Sequence, residues 1–298
     1  MSAGDRPTPG AAGHAAPDVG LILLSIGCVQ VSAAVATEMF DRVGPAGATL
    51  VRTALAAAVL LLVVRPTLRS RAAWRAVLPY GLALGVMNLS FYLGLDRVPL
   101  GVAVAIEFLG PLSVGAVLAR RPRDRAWVLV AAAGVLALTR PWSADGADLV
   151  GVAWLLLAAS CWAGYIVLGA RAAQELDGLQ PVALAMLVSA AVALVPGLVG
   201  GGGDLLHPHV LAIGAVAAVA GSVLPYSLEQ VALRRVAPGV FGVLMAIEPG
   251  AAALAGWLVL GEGLPALSLL GLALVIAAGV AVTRSGAPAP APEAVAGA

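Results

Sequence analysis

Runs of about twenty apolar residues, separated by short clusters of Arg, Pro and Gly, follow one another along almost the whole chain. A helix needs roughly 20 mainly apolar residues to cross a bilayer, with about 17 to 25 tolerated. On that measure the spans fall at 19–38, 46–64, 77–95, 100–118, 126–142, 149–169, 181–199, 210–232, 238–259 and 265–283. The breaks between them carry helix-stopping residues: Gly44-Pro45, Arg65-Pro66, Arg121-Pro122, Gly200 to Gly203, Ala237-Pro238 and Gly263-Leu264-Pro265. This pattern predicts an all-α membrane protein with ten transmembrane helices. Residues 1–18, rich in Pro, Gly and Ala, lack a compact basic start or a cleavage site, so a disordered cytoplasmic tail is expected there. Low-complexity residues 285–298 are expected to form a second such tail.

The polar positions repeat at long range. Arg97-Val98, Gly101 and Pro111 recur 138 positions later as Arg235-Val236, Gly239 and Pro249. Gly27-Cys28 is matched more weakly by Ser160-Cys161, 133 residues on. The chain therefore divides into two five-helix repeats, 19–142 and 149–284. Five is odd, so the second repeat enters the membrane upside down relative to the first. Inverted repeats of this kind place a solute site near mid-membrane, between the halves of a secondary transporter, and alternating access follows if the halves rock.

Charge sets the orientation. All 17 basic residues are Arg. With the amino terminus inside, 13 fall on the cytoplasmic side, against Arg42, Arg97 and Arg140 outside and Arg52 within a span. Positively charged residues collect on the cytoplasmic side, so both termini are expected there. Only 11% of residues are charged and 61% are hydrophobic, too little polarity to furnish a soluble surface. Net charge is near zero, which gives no basis for a nucleic-acid partner.

Against this background the buried polar residues stand out. Glu107, Arg52 and Asn88 each lie about 10 Å from the outer end of their spans at 1.5 Å per residue. A carboxylate, a guanidinium and an amide at one depth could hold both ends of an amino acid. The competing reading is that Arg52 and Glu107 neutralise each other as a structural pair. Glu107 and Glu248, both acids inside spans, are candidates for proton coupling. Pro111 and Pro249 remove backbone hydrogen bonds and are candidate hinges. Gln30, Tyr92, Trp162, Tyr165 and Tyr226 are candidate cavity walls. Glu229 could serve there too, or pair with Arg234 and Arg235 at the interface. Glu38 and Arg42 suggest a solvated pair at the outer surface.

Catalysis has no support. The three histidines lie outside the expected spans, and no Ser-His-Asp set or metal-spaced cluster exists. No GxxxxGK[ST] phosphate loop is present, so neither an enzyme nor an ATP-driven pump is expected, and no cofactor.

Five stretches carry a family resemblance: Gly85 to Tyr92, Val98 to Leu112, Cys161 to Ile166, Leu224 to Glu229 and Leu244 to Pro249. Together they resemble the inner-membrane threonine and homoserine exporters of the EamA-type branch of the drug/metabolite transporter superfamily. The resemblance runs from about Val19 to Arg284 and makes each five-helix repeat an EamA-type domain. It implies efflux of small neutral amino acids by proton exchange, with Asn88, Tyr92, Glu107, Tyr226, Glu229 and Glu248 carried over. One departure lies near the end of the first span, where such exporters often have Lys and this chain has Thr37 followed by Glu38. Efflux of another metabolite or a cationic drug is the alternative, and a membrane-embedded enzyme or a non-transporting interaction protein a remote one. The expected partners are an amino-acid substrate, protons and the lipid bilayer, with a homodimer left open.

Overall fold

A computed structural model describes residues 15–67, 70–118, 122–140, 148–233 and 245–285. Among these, all regular structure is helical: α1 Ala15–Ala36, α2 Phe40–Val64, α3 Arg71–Leu95, α4 Leu100–Glu107, α5 Leu109–Leu118 and α6 Pro122–Thr139. The second part of the chain adds α7 Leu149–Glu175, α8 Gln180–Gly201, α9 Pro208–Ala218, α10 Leu224–Leu233, α11 Glu248–Leu260 and α12 Ala266–Ser285. The expected tails, apart from 15–18 and Ser285, and residues 238–244 of the ninth span lie outside the described residues.

Five stretches are long and apolar enough to cross a membrane: Leu23–Val64, Arg71–Leu95, Leu149–Glu175, Gln180–Leu206 and Pro208–Leu228. Leu100–Val114, Ala126–Thr139, Glu248–Leu260 and Ala266–Ala281 are shorter apolar helices. Large apolar side chains such as Leu62, Val117, Val199 and Leu206 point outward, more than 70% exposed. That much outward apolar surface suits contact with lipid rather than water.

Several boundaries differ from the sequence expectation, each for a local reason. The first helix begins at Ala15, within the expected tail. Leu23–Val64 spans 42 residues, about 63 Å as a straight helix and twice the hydrocarbon thickness. Gly44 interrupts it with φ +64°, and Pro45 restarts the helix at a position where its missing N–H costs nothing. α3 starts six residues earlier than expected, because the Ser70 hydroxyl accepts from the Ala73 N–H and caps it. His209 lies in the first turn of α9, inside a candidate span, which corrects the expectation that all histidines lie outside one. Among the described residues no ion pair joins Glu38 to Arg42; an exposed pair forms instead between Arg97 and Asp148, 2.8 Å apart.

The stretch expected as the fourth span breaks at Phe108, three residues before Pro111. Pro111 has no N–H for the Glu107 carbonyl, so the helix loosens one turn ahead of the ring. The eighth span is interrupted by a π-helical turn, Val219–Val223, between α9 and α10.

The helices pack mostly across the two halves of the chain: α2 on α8, α3 on α7 and α8, α4 on α11, α6 on α12, and α1 on α10 and α11. Small residues make the approaches close. A Cβ on Gly81 would lie 2.5 Å from Val188, and one on Gly134 would lie 2.7 Å from the Gly271 carbonyl. The Glu262 carboxylate accepts from the Leu100 N–H at 2.9 Å, tying the loop after α11 to the start of α4. Burial pushes the Glu262 carboxyl upward, opposed by that hydrogen bond.

Candidate functional site

α2 carries Arg52 inward on a buried face with Thr49, Thr53 and Ala56. The guanidinium is held from two directions. Its Nη2 donates to Asn88 Oδ1 on α3, and its Nη1 donates to the Gly221 carbonyl and Ser222 Oγ of the π turn, each at 3.3 Å. The cation also lies over the Tyr92 ring, 4.7 Å from its centre. Asn88 is itself fixed, because its amide donates to the Leu84 carbonyl one turn back at 2.8 Å.

Among the described residues no ion pair joins Arg52 to Glu107, which counts against the structural-pair reading. Burying a lone guanidinium is costly, so the three oxygen acceptors and the aromatic face are what keep this one in place. Glu107 ends α4 at the Phe108 break and Glu248 opens α11, so each acid lies at a helix interruption. Gln30 of α1 donates from Nε2 to Glu248 Oε1 at 3.1 Å, linking the halves at a second point.

These groups surround one cavity of about 90 Å³, room for several waters at about 10–15 Å³ each. Gln30, Arg52, Asn88, Tyr92, Glu107, Trp162, Tyr165 and Tyr226, all expected at the substrate site, line it, and so does Glu248. The Glu229 side chain lies outside the described residues, while Pro111 and Pro249 do not line the cavity. Tyr165 stacks on Tyr80 at 4.9 Å and leans on Tyr226 at 6.1 Å, forming one aromatic wall. Trp162 meets Phe108 edge-on at 6.5 Å and forms another. Buried Arg52 Nε, Tyr92 hydroxyl and Gln30 Oε1 have no hydrogen-bond partner among the described residues. Such groups carry a standing cost that a bound solute or water can remove.

Sequence reasoning missed Ser32, Met87, Phe91, Gly221, Ser222 and Pro225, which also belong to this region. Pro225 offered a signal, as a proline inside an apolar run. The contacts of Gly221 and Ser222 offered none, because they depend on a backbone turn.

Apolar helices around a cavity that holds charged and polar side chains define a multi-pass membrane protein. The profile of the EamA-like transporter family matches residues 149–284. The threonine/homoserine exporter RhtA of Salmonella typhimurium strain LT2 is 41% identical over 268 residues, covering 88% of this chain and 90% of that protein. The exporter of the same name from Escherichia coli K12 is 40% identical with the same coverage. A solved crystal structure shares the fold with a TM-score of 0.59 and 21% identity, covering 89% of this chain and 97% of that one. The chain belongs to the EamA-like transporter family.

Proposed function

We propose that this chain exports small neutral amino acids of the threonine and homoserine type across the cytoplasmic membrane, by proton antiport with alternating access. The relatives named as exporters of those two amino acids match along nearly their full length, which supports the substrate class. The observation that carries the site is the Arg52 guanidinium, fixed by Asn88, Gly221 and Ser222 in a cavity that also holds Glu107 and Glu248. Arg52 receives the carboxylate, and a carboxylate of the cavity receives the ammonium. Gln30 steadies Glu248. Glu107 carries the proton inward when the amino acid leaves.

The architecture proposed is ten transmembrane helices in two inverted five-helix repeats. Exchanging the halves maps α3 on α7 to α1 on α10, and α2 on α9 to α3 on α8, and all four pairs are in contact. The pairs α2–α8, α4–α11 and α6–α12 map onto themselves. Both termini face the cytoplasm, in keeping with the 13 arginines assigned to that side.

The test is expression in cells deleted for their own amino-acid exporters and loaded with threonine or homoserine. Growth tolerance and a lower intracellular pool are expected. Unchanged sensitivity and pools, with the protein present in the membrane, would remove the amino-acid reading. A parallel panel of lipophilic cations would then examine the aromatic wall as a drug site.

A further inference from the structure

We infer that Pro225 and Ser222 are positioning residues that set the carboxylate selectivity of the site by holding Arg52. This rests on the reading that Arg52 receives the carboxylate. In an unbroken α-helix the Gly221 carbonyl accepts from the N–H four residues later, and at 225 a proline removes that donor. The chain widens there into the π turn, in which the Leu224 N–H bonds to the Val219 carbonyl five residues back. Single π turns inside α-helices recur at functional sites. Here the consequence is local: Gly221 has no helical claim from position 225 on its oxygen, and Arg52 Nη1 takes it, with Ser222 Oγ beside it.

Neighbouring packing fixes this arrangement. A Cβ on Gly221 would lie 2.9 Å from Ser32 Cβ, so only glycine lets α1 lie against the turn. Ser32 Oγ in turn donates to the Ala217 carbonyl at 3.0 Å, holding α1 there. The donor tally on Arg52 then becomes informative. Nη1 donates to Gly221 and Ser222, and Nη2 donates to Asn88. Nε–H has no hydrogen-bond partner among the described residues, and Nη2, with two hydrogens, has Asn88 alone. Nε and Nη2 form one edge of the planar guanidinium, and such an edge takes a carboxylate through two parallel bonds. The turn thus spends the far edge of the guanidinium on the protein and leaves this one for the solute.

The experiment compares binding and transport of threonine with those of threoninol, its carboxylate-free alcohol, in proteoliposomes of the full chain. Wild type should bind threonine well and threoninol poorly. Pro225→Ala restores an N–H that competes for the Gly221 carbonyl, and Ser222→Ala deletes one acceptor with the backbone intact. Each should weaken threonine binding by about three- to tenfold, the size of one hydrogen bond, with threoninol binding and maximal rate unchanged. Should Pro225→Ala fail to fold, Ser222→Ala carries the test alone. A wild type that binds both solutes equally would end the Arg52–carboxylate reading itself. A wild type that discriminates, with folded variants that discriminate equally well, would overturn the positioning role.

Discussion

Helix α3 and the α9–α10 pair do the same job in different ways. α3 runs unbroken from Arg71 to Leu95 and offers Arg52 a side-chain oxygen, Asn88 Oδ1. The α9–α10 pair is interrupted by a π turn and offers mainly its backbone, the Gly221 carbonyl, with Ser222 beside it. The two helices belong to opposite halves of the chain, yet both terminate on one guanidinium. One cation can therefore be held by unlike chemistry from the two halves of the chain, a side-chain amide from one and a backbone carbonyl from the other. A side chain can be exchanged by a single mutation, whereas a carbonyl freed by a proline depends on the local path of the chain.

The largest expected effect comes from removing what the two elements share. Arg52→Met should lower threonine transport by about ten- to hundredfold, because a hydrogen bond to a charged group is worth about 1.5–3 kcal/mol. It should also lower thermal stability in detergent, since Asn88 and Gly221 lose a buried donor. Near-normal transport by folded Arg52→Met would dissolve the comparison, because neither helix would then be serving the solute.

Next in size is Glu107→Gln. Transport in proteoliposomes should lose its dependence on an imposed pH gradient, while counterflow of threonine with equal pH on both sides continues. Full retention of gradient-driven transport would take Glu107 off the proton path and leave Glu248 as the acid to examine.

Asn88→Ala tests the side-chain arm alone. It should raise the threonine KM by about five- to tenfold and cost about 1–3 kcal/mol of stability through a buried donor left unpaired. Loss no greater than that of Ser222→Ala would show that the π turn holds Arg52 at least as firmly as α3 does.

The smallest effect is expected at the Arg97–Asp148 pair, exposed and outside the cavity. Exposed pairs contribute little. Asp148 also caps α7 by accepting from the Val150 N–H at 2.7 Å. The hydrogen bond from Arg97 holds its carboxyl below the ordinary value of 3.8. A lowered acid contributes stability above 3.8 that is lost as the pH falls through the folded value. Asp148→Ala should therefore trim the melting temperature slightly at neutral pH, and the difference from wild type should vanish in strong acid. A difference independent of pH would assign the effect to helix propensity instead.

Much of this is legible in the sequence. Spans such as 149–169 and 181–199 announced themselves through unbroken hydropathy, since a bilayer demands about twenty apolar residues whatever the neighbours do. Gln30, Arg52, Asn88 and Glu107 were legible for the opposite reason: a polar side chain in such a run is too costly to stand without a purpose. The break at Phe108 and the π turn were not legible as such. Pro111 and Pro225 signalled missing donors, but where a helix absorbs that loss depends on what packs beside it. At Gly110 that neighbour is the α7 backbone at Ala159, and at Gly221 it is Ser32.

The sequence by itself determined the material of this protein: apolar helices, a duplicated pattern, and a short list of polar residues that lipid would not tolerate. Only the tertiary structure decided who meets whom. Arg52 and Gly221 are 169 positions apart, and Gln30 and Glu248 are 218 apart. No periodicity encodes such a meeting. It follows from glycine-lined helix contacts that fix the distance between backbones to within the reach of one hydrogen bond.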